Sequence, residues 1–470
     1  MTNLGVKRCA EVEQPNWAAR EMAGVNLGDQ RLNRRAVRVL DTLGAKPTVS
    51  IPAACKGWAE TQAAYRFFAQ ERVTVQEILA PHIECTLERA REPSVVLAIQ
   101  DTSELDYTGK PGIVGLGPLT YANQHGLHIH PTLMVTPERV PLGVFDAWNW
   151  ARDPEDFGTE RGQRSIEEKE SIRWLEGYQR VCEAKAELPE TRLIYVADRE
   201  GDIYELFAEA EKWGPARAEL LIRANQNRCL SDGQKLWEKA AAAPVLGEIT
   251  FTMPATKTRA AREVTQTLRA TRVVLKAPSG KRKRAPAVHL SAVLAREEAP
   301  PKGVQAIEWL LLTTCAVDTF EQACEMLSWY LARWSIELFF KILKSGCKVE
   351  ELQLEHFDRL EPALAMYMII AWRVLLLTTL GRACPDLPCD VVFETEEWQA
   401  AYTVAKKAPP PKTPPSLDEM VRIVAGFGGY LNRKHDGFPG SQTLWIGLQR
   451  VQDFALALAA QQASQKRRYV

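Results

Sequence analysis

The sequence predicts a multi-domain α/β protein, in which a central α/β region with a β-rich insertion is flanked by helical regions. Three observations predict this order. The first ~75 residues show helical periodicity and helix caps. Apolar, β-branched runs then alternate with amphipathic helices, and helical patterns return after about residue 315. With 470 residues, the chain is long enough for about two to four domains.

The composition is that of an ordinary soluble globular protein, with 46% hydrophobic and 25% charged residues. The N-terminus has no apolar signal-peptide core, and the longest apolar segment, MYMIIAWRVLLLTTL, is broken by Arg373 and is predicted as a buried helix. Ten cysteines are scattered without a CxxC pair, which favours reduced thiols. The sequence therefore predicts a cytoplasmic protein with no membrane partner.

Two amphipathic helices are predicted in the N-terminal region. In LGDQRLNRRAVRVLDTLG, Asp29 is the expected N-cap and Gly44 marks the far end, while WAETQAAYRFFAQ is the second helix. Arginines are interleaved with the apolar residues of the first helix: Arg31, Arg34, Arg35 and Arg38. A basic helical surface suits contact with DNA, although arginines on a helix surface are more often merely solvated.

Two predicted strands in the central region each end in an aspartate. Asp101 follows VVLAIQ, and Asp198 follows RLIYVA, with a sharp turn and a helix behind it. Carboxylates in these positions lie where ligands collect in open α/β sheets. Each aspartate could instead be a turn former, and Asp198 could cap a helix that begins near Glu200. Further strands are predicted at HIHPTLMVT and VPLGVFDAWNW, and a charged helix at EEKESIRWLEGYQRVCEAKAEL.

The segment from about 219 to 315 is predicted as a β-rich insertion. Five short runs have strand character: LLIRAN, GEITFTM, TRVVLKAP, AVHLSAVLA and EWLLLTT. The same segment is basic, since Glu263 is the only acid between Lys257 and Arg296, and KRKR occupies 281–284. It could bind phosphates, although for the KRKR turn a solvated loop is an equal alternative. The net charge of zero gives no hint of a polyanionic partner.

The stretch YLARWSIELFFKILKSG, residues 330–346, is helical in its periodicity. Five of its residues fall within an arc of roughly 80° at about 100° per residue: Tyr330, Arg333, Glu337, Lys341 and Lys344. The remaining surface is apolar and is expected to be buried, including Trp334 and Leu338. Glu337 could therefore face a ligand, or it could simply form i,i+4 ion pairs with its cationic neighbours.

Asp101, Asp198 and Glu337 together suit a hard, oxygen-liganded cation. Three carboxylates without a histidine or cysteine partner favour Mg²⁺ or Mn²⁺ over zinc. In HGLHIHP, His128 and His130 would share a strand face near His125, which suggests a transition-metal site, but no liganding partner is near in the sequence. The role of these histidines stays open.

The C-terminal region is predicted to be helical after a stiff connector. APPPKTPP, near residue 408, is an extended segment. It ends at Ser416, and Ser416 and Glu419 make a capping box that opens the helix EMVRIVAGFGGYL. The predicted domains are therefore 1–75, 76–384 with the insertion, and 385–470.

The spacing Y-(2)-R-(3)-E-(6)-K, met by Tyr330, Arg333, Glu337 and Lys344, resembles the signature of bacterial insertion-sequence transposases of the IS4 family. LGDQRLNRR and AAYRFF resemble that family's DNA-end-binding region. IQDTSELDY and ADREGDIY resemble the segments that carry its first and second catalytic aspartates. EEKES and EWLLLT match intermediate blocks, and GGYLNRKHDG with LWIGLQRVQDF resembles its C-terminal domain. The resemblance thus extends along most of the chain.

The resemblance implies an RNase H-like catalytic core that holds Asp101, Asp198 and Glu337 as a DDE triad. Its cofactor would be Mg²⁺, with Mn²⁺ as a substitute and two ions per active site, and no organic cofactor. Water would first free a 3′-OH, which by family analogy attacks the opposite strand to form a hairpin. Water would reopen that hairpin before strand transfer into target DNA.

The resemblance also implies which residues contact DNA. Tyr330, Arg333, Lys341 and Lys344 would lie beside DNA phosphates, and Trp309 matches the family's base-flipping tryptophan. Arg223 resembles an arginine near the hairpin, and the N-terminal helices with Arg31, Arg34 and Arg35 would carry end recognition. The expected partners are double-stranded transposon ends, target DNA and a second copy of the chain, paired through the C-terminal helices. The expected setting is the bacterial cytoplasm, at the nucleoid.

Two rival functions remain open at this point. The first is a metal-dependent nuclease that hydrolyses DNA without strand transfer. The second is a DNA-binding regulator whose three carboxylates are no longer used. The intact carboxylates and the Tyr330–Lys344 helix count against the regulator, whereas strand-transfer products alone separate a transposase from a nuclease.

Overall fold

The computed structural model describes residues 16–55, 57–121, 123–156, 165–253, 260–278 and 287–468. These form two compact units. One consists of the described residues up to Pro81 together with those from Cys384 onward, and the other of His82–Ala383. The predicted basic residues Lys257 and Arg259 and the KRKR turn lie outside the described residues.

Fourteen α-helices lie within the described residues. They are α1 (Trp17–Glu21), α2 (Gln30–Ala45), α3 (Ile51–Ala54), α4 (Trp58–Phe68), α5 (Val75–Ala90), α6 (Ile172–Ala184), α7 (Tyr204–Trp213), α8 (Leu236–Ala242), α9 (Phe320–Ala332), α10 (Trp334–Lys341), α11 (Phe357–Ala383), α12 (Thr395–Lys406), α13 (Leu417–Phe427) and α14 (Ser441–Arg468). Both helical flanks predicted from the sequence are confirmed. Helix α8, inside the predicted β-rich segment, is an element that the sequence did not indicate.

All eleven described strands lie in the unit His82–Ala383. They are β1 (Val95–Gln100), β2 (Ser103–Asp106), β3 (Gly117–Pro118), β4 (His125–Val135), β5 (Pro141–Trp150), β6 (Arg192–Ala197), β7 (Glu219–Arg223), β8 (Val245–Met253), β9 (Arg262–Leu275), β10 (Val288–Arg296) and β11 (Glu308–Thr313). They form one sheet in the order β2-β4-β1-β6-β7-β11-β10-β9-β8, and β3 and β5 also pair with β4.

The centre of this sheet is mixed. Strands β1, β6 and β7 run parallel to one another, and β4 runs antiparallel to β1. In both β1 and β6, every residue after the first is buried. This is expected of strands that are covered on both faces of the sheet. Helices α6 and α7 contribute to the core on one face, where the Tyr178 hydroxyl of α6 donates to the carbonyl of Ala218 at 2.8 Å.

The β-rich segment is continuous with the central sheet. Its first strand, β7, pairs directly with β6, and β11, β10, β9 and β8 follow as antiparallel neighbours. The sequence predicts a β-rich insertion at about 219–315, and the strands themselves are confirmed. These strands do not form a separate sheet. Strand β7 forms backbone hydrogen bonds with β6 on one side and with β11 on the other, so the segment extends the central sheet.

Helix α2 illustrates how local sequence defines the N-terminal helices. The side chain of Asp29 accepts a hydrogen bond from the backbone N–H of Arg31 at 2.7 Å, which confirms it as the N-cap. Gly44 lies inside the last turn. A Cβ on Gly44 would come within 2.3 Å of the Trp17 ring, so glycine is required there for α1 to pack on α2.

Helix α11 is the one helix among the described residues that is long and apolar enough to cross a membrane by length and composition alone. In this structure 78% of its most apolar window is buried inside the protein. The indole N–H of Trp372 donates to the carbonyl of Pro141 at 3.0 Å, which joins α11 to β5. The prediction that MYMIIAWRVLLLTTL is a buried core helix is confirmed.

The nine cysteines in the described part of the chain are all free thiols. Burial raises the pKa of the Cys182 and Cys315 thiols, which keeps both protonated and unreactive. The prediction of reduced cysteines agrees with the structure.

Candidate active site

Asp101 and Asp198 lie side by side at one edge of the sheet. In the parallel pairing of β1 with β6, Ile99 is opposite Val196, and the same register continued by two residues places Asp101 opposite Asp198. Neighbouring strands are about 4.8 Å apart, so the two carboxylates share one small region. The negative charge of Asp198 contributes to raising the pKa of Asp101, as expected for close carboxylates.

Asp198 also shapes the turn that follows β6. Its side chain accepts a hydrogen bond from the backbone N–H of Glu200 at 2.7 Å and caps a short 3₁₀ turn, Arg199–Gly201. Helix α7 begins later, at Tyr204, and not near Glu200. Asp198 therefore does act as a cap, but of this short turn and not of helix α7. One carboxylate oxygen holds the turn, and the side chain remains at the strand end beside Asp101.

Helices α9 and α10 carry Glu337 to this edge of the sheet. The predicted helix is not one regular α-helix, because Arg333 separates α9 from α10 and a π-helical turn, Ile342–Gly346, follows α10. Such π-turns are frequent at functional sites because they re-aim side chains within a helix. Arg333 remains in right-handed helical conformation, and the hydrogen bonds around it span three residues: Arg333 N–H donates to Tyr330 O and Ile336 N–H donates to Arg333 O.

The guanidinium of Arg333 bridges two of the three carboxylates. One terminal nitrogen donates to Asp101 Oδ2 at 2.7 Å, and the other donates to Glu337 Oε1 at 3.3 Å. The side chains of Arg333 and Asp101 are each only 12% exposed, whereas Glu337 is 42% exposed. Asp101 and Arg333 are 232 residues apart in sequence. Their ion pair therefore fixes the helix against the end of β1.

Burial is the main cause that raises the pKa of Asp101, to about 7. The charges of Asp198 and Glu337 raise it further, and Arg333 opposes them. A buried carboxylate surrounded by two others needs positive charge to stay ionised. Here Arg333 supplies part of that charge, and a pKa of about 7 leaves Asp101 partly protonated at neutral pH.

The donor atoms of this cluster suit a hard divalent cation, because all three are carboxylates. As they stand, no three His, Cys, Asp or Glu side chains in the described ranges are grouped closely enough to form a ligand set. The guanidinium of Arg333 occupies the position between Asp101 and Glu337. Asp101, Asp198 and Glu337 therefore fit such an ion by chemistry, with Arg333 as the group that the ion would displace.

Two predicted burials on this helix are wrong. Trp334 is 60% exposed and Leu338 is 45% exposed, whereas Tyr330, predicted on the polar face, is only 6% exposed. The amphipathic pattern separated a polar face from an apolar face, but it wrongly placed the whole apolar face in the core. Trp334 and Leu338 are one turn apart, so they form an exposed apolar stripe beside exposed Lys341.

Three other predicted DNA contacts lie near the same edge. Lys344 is half-buried in the π-turn, and Arg223 ends β7, directly beside the end of β6. Trp309 lies on β11, where the register with β7 places it beyond Arg223. Two strand spacings of about 4.8 Å separate β11 from β6, so Trp309 lies roughly 10 Å to the side of β6. The structure thus brings these residues to the sheet edge that carries the aspartates.

The basic segment is largely neutralised within the described residues. Arg262, Arg269, Arg272 and Arg296 pair with Glu297, Glu298, Asp318 and Glu308, respectively. All four acids lie just beyond the segment in which the positive charge was counted. The expectation of a phosphate-binding surface is therefore not met by these arginines, because a count along the chain misses cross-strand partners.

The three N-terminal arginines differ in their surroundings. Arg31 is 88% exposed and contacts Asp29 at 3.2 Å, and Arg34 is also exposed. Arg35 is partly buried and pairs with Glu60 of α4 at 2.8 Å. Arg31 and Arg34 are therefore accessible to a large partner, whereas Arg35 also holds α2 against α4.

Next to the aspartates, sequence reasoning missed a polar pocket. An open pocket of about 440 Å³ is lined by residues of β4, β5 and α6 and by residues adjoining both aspartates. His128 and His130 line it, so their predicted shared strand face is confirmed. His125 is not among the lining residues. In the described part of the chain, no group containing these histidines has the arrangement of a metal site.

A second feature missed from the sequence is the buried pair of Asp202 and Arg228. Asp202 accepts backbone hydrogen bonds from Asn225 and Gln226 at 2.7 and 2.9 Å, and Arg228 Nη2 donates to Asp202 Oδ1 at 2.6 Å. The Asp202 side chain is 0% exposed. It therefore joins the turn after Asp198 to the loop after β7.

Comparison with protein families finds two matches. A family model described as transposase DNA-binding matches residues 14–73, and one described as the transposase Tn5 dimerisation domain matches residues 369–466. The first covers α1 to α4, with the exposed arginines, and the second covers the end of α11 and the C-terminal helices. The resemblance stated from the sequence is confirmed by both matches.

Proposed function

Since the chain carries the DNA-binding and dimerisation domains of a Tn5-like transposase of the IS4 family, we propose that it is a cut-and-paste DNA transposase. It binds the repeats at transposon ends, cleaves the DNA beside them and joins the freed ends to target DNA. The two matched domains support a transposase that binds DNA and forms a homodimer. The cleavage and joining steps are proposed from the arrangement of Asp101, Asp198 and Glu337.

The observation that carries this proposal is that Asp101 lies beside Asp198 and is linked to Glu337 through Arg333, although the three come from distant segments. Two come from adjacent parallel strands, and the third comes from a helix tied to Asp101 through Arg333. Structural aspartates at strand ends would not need a buried arginine from 232 residues away. The mixed sheet with parallel β1, β6 and β7 supports an RNase H-like core for this DDE triad.

Asp101, Asp198 and Glu337 would hold two Mg²⁺ ions, or Mn²⁺ as a substitute. When bound, such ions stabilise the charge on the attacking and leaving oxygens of an in-line displacement at phosphorus. Arg333 would release Asp101 and Glu337 and remain beside them, where its five N–H groups suit a DNA phosphate. The positive charge at the site is thereby kept when DNA arrives.

Each proposed step exchanges one oxygen for another at a phosphorus atom. In the first, a water oxygen bonds to the phosphorus, the 3′ oxygen leaves, and a free 3′-OH results. That hydroxyl then attacks the opposite strand to form a hairpin, and water reopens it. Finally the same 3′-OH attacks target DNA. No oxidation or external energy source is needed, because every step breaks one P–O bond and forms another.

The cationic residues of α10 and the π-turn would position the DNA. Exposed Lys341 and half-buried Lys344 lie on the same helical run as Glu337, so they would contact phosphates beside the scissile bond. Tyr330 is buried and affects the pKa of Arg333, so it would act by packing beside that arginine. Trp309 and Arg223, at the same sheet edge, would hold an unstacked base near the hairpin.

The proposal is tested by an activity assay with the purified chain, Mg²⁺, labelled DNA that carries the transposon's own terminal repeats, and a supercoiled target. Glu337→Ala is assayed beside the wild type, and Glu351→Ala, at an exposed glutamate outside the site, is the control. We expect hairpin and joined products from the wild type and the control. Their loss in Glu337→Ala would establish the transposase and its triad together.

Other outcomes separate the two rivals. Cleavage without joining, in the presence of target DNA, would replace the proposal with a metal-dependent nuclease. Binding to the terminal repeats without any cleavage in either Mg²⁺ or Mn²⁺ would leave the DNA-binding regulator.

A further inference from the structure

The helical run that carries Glu337 and Lys344 is joined at both of its ends to the part of the chain that begins with Asp101. At its start, Arg333 pairs with Asp101 at 2.7 Å. Beyond its end, residues 349–357 form hydrogen bonds with residues 106–115. This second connection, the clamp, contains neither a proposed metal ligand nor a proposed DNA contact.

Two hydrogen bonds at the start of the clamp involve the end of β2. The hydroxyl of Tyr107 donates to the carbonyl of Val349 at 2.8 Å, and the backbone N–H of Asp106 donates to Glu350 Oε1 at 3.0 Å. Tyr107 and Val349 are 242 residues apart in sequence. The chain just after the π-turn is therefore fixed to the strand that follows Asp101.

Further along the clamp, two chain segments pair through their backbones. The N–H of Val114 donates to the carbonyl of Glu355 at 2.9 Å, and its carbonyl accepts from the N–H of Phe357 at 2.8 Å. Gly115 has a φ of 90°, and a Cβ there would lie 3.0 Å from the Cβ of Phe357. The left-handed conformation and the close approach both favour glycine at this position.

Tyr107 connects the clamp to the central sheet. Its side chain is buried, and its own backbone N–H donates to the carbonyl of His125 on β4 at 2.8 Å. Val349 is buried as well, so its carbonyl depends on the Tyr107 hydroxyl for a hydrogen bond. Loss of that hydroxyl would leave a buried acceptor unsatisfied, which favours a shift of the chain at Val349.

Lys344 lies in the π-turn between the two connections. The neighbouring Ile342 and Leu343 are buried, and the Cys347 N–H donates to the carbonyl of Ile342 at 2.7 Å. Lys348, with a φ of 54°, then ends the turn and leads directly to Val349. Because this path is short and packed, the position of Val349 determines where Lys344 lies.

The charge of Lys344 also acts on the clamp. Hydrogen bonds from Thr108 lower the pKa of Asp106, and the charge of Lys344 lowers it further. The Asp106 carboxylate already accepts hydrogen bonds from the N–H and the hydroxyl of Thr108, at 2.8 and 2.5 Å. Lys344 is thus near an acid whose hydrogen bonds go to another residue, and its ammonium can donate to a DNA phosphate.

The clamp gains importance when a divalent ion binds. In the proposed reaction the ion displaces Arg333 from Asp101 and Glu337, so the start of the helical run loses its connection to β1. The hydrogen bonds of the clamp involve no triad carboxylate and persist. The position of Lys344 beside the DNA then depends on the clamp.

We propose that Tyr107 is a positioning residue for DNA cleavage, whose hydroxyl acts through Val349 to fix Lys344 against the phosphate beside the scissile bond. Tyr107 is buried and does not itself contact DNA. This inference rests on the proposed function, because Lys344 has such a phosphate to contact only if the chain cleaves DNA.

The test is a double-mutant cycle, measured as single-turnover cleavage of labelled terminal-repeat DNA by the full chain with Mg²⁺. Tyr107→Phe removes one hydroxyl and should lower the cleavage rate about tenfold, because a misplaced contact is costly in a positioned reaction. In the Lys344→Gln background the same change should lower the rate by less than about twofold, since its effect passes through Lys344. The Kd for DNA should stay the same, because the matched DNA-binding region is residues 14–73.

Tyr178→Phe is the matched control. Tyr178 is also buried, and its hydroxyl donates to a backbone carbonyl, that of Ala218, at the same distance of 2.8 Å. The variant makes the same chemical change away from the clamp and should keep the wild-type cleavage rate. Thermal unfolding of both variants shows that the rates compare folded proteins.

Glu350→Ala removes the other side chain that makes a clamp hydrogen bond, so the test stands even if Tyr107→Phe fails to fold. It should lower the rate in the wild-type background and not in Lys344→Gln, whereas Glu351→Ala, one position further, should leave it unchanged. Equal losses in both backgrounds, an equal loss in Tyr178→Phe, or wild-type rates in Tyr107→Phe and Glu350→Ala overturn the inference. Absence of cleavage by the wild type would instead overturn the proposed function.

Discussion

Arg333 has a clear role at the scale of single residues. Its side chain is largely buried and contacts carboxylates on β1's end and on α10. A fully buried ion pair contributes little net stability, but removing one partner leaves an uncompensated charge. In this site the remaining charges are the three carboxylates that would bind a divalent ion. Arg333 and the ion therefore compete for the same partners.

We predict that Arg333→Gln destabilises the free protein and makes Mg²⁺ a stronger stabiliser than it is for the wild type. Without the guanidinium, Asp101 loses the positive charge that lowers its pKa, and a bound cation would replace that charge. An ion at tenfold excess over its Kd adds about 1.4 kcal/mol to the free energy of unfolding. Thermal unfolding with and without Mg²⁺ measures the difference.

Arg359→Gln is the control for this experiment, because Arg359, at the start of α11, pairs with the exposed Glu355 at 2.6 Å. It should change Tm little and leave the Mg²⁺ effect at the wild-type value. An equal Mg²⁺ shift in wild type and Arg333→Gln would show that Arg333 does not compete with the ion.

The buried state of His130 predicts a pH dependence of stability. Its pKa is about 3 in the folded protein and near 6.5 when unfolded, so the unfolded state binds the extra proton between these values. The contribution of His130 to the free energy of unfolding is fully present above about pH 6.5. It is lost as the pH falls below that value, by up to about 1.4 kcal/mol per pH unit. Urea unfolding of wild type and His130→Asn at pH 7 and pH 5 measures it.

We expect the difference in unfolding free energy between pH 7 and pH 5 to be smaller in His130→Asn, because asparagine does not titrate. His125→Asn should keep the wild-type difference, since His125 is more exposed. A difference that is the same in all three proteins would mean that His130 is not buried in the neutral form.

At the scale of elements, the turn after β6 and the loop after β7 are held as one piece by Asp202. We predict that Asp202→Asn lowers the free energy of unfolding by about 3 kcal/mol, because Arg228 then lacks its buried counter-charge. DNA cleavage should fall more than DNA binding, since the turn carries Asp198. Urea unfolding and the end-cleavage assay measure the two effects.

Asp232→Asn makes the same chemical change in an exposed pair with Lys239. An exposed pair contributes about 0–1 kcal/mol, so this variant should stay close to wild type in both assays. Equal losses in the two variants would contradict a special role for the buried pair.

Some elements could be predicted because their signals are local. The runs VVLAIQ and RLIYVA predicted β1 and β6 with their aspartates, and Asp29 marked the start of α2. The interruption at Arg333 could not be predicted, because both the helical periodicity and the helical backbone conformation continue through it. The exposure of Trp334 and Leu338 was missed for a related reason: an apolar face in sequence does not reveal what covers it.

For the molecule as a whole, the sequence showed which segments are rich in strands but not how they pair. Continuity of β7 with β11 depends on contacts far apart in the chain, which no local pattern records. The proposed triad was identified through the spacing of Tyr330, Arg333, Glu337 and Lys344, together with two strand ends. The polar pocket lined by His128 and His130 was missed because its residues come from six separate segments, each ordinary by itself.

The unit formed by the two ends of the chain has a consequence for biosynthesis. Trp17 donates its backbone N–H to Glu394 at 2.8 Å, and Lys46 contacts Asp453 at 2.8 Å. At roughly 5–20 residues per second, a ribosome needs roughly 20–75 s to extend the chain from residue 81 to residue 453. During that interval the helices that carry Arg31 and Arg34 exist without these partners. The nascent chain therefore presents its first helices to its surroundings before the last helices complete their packing.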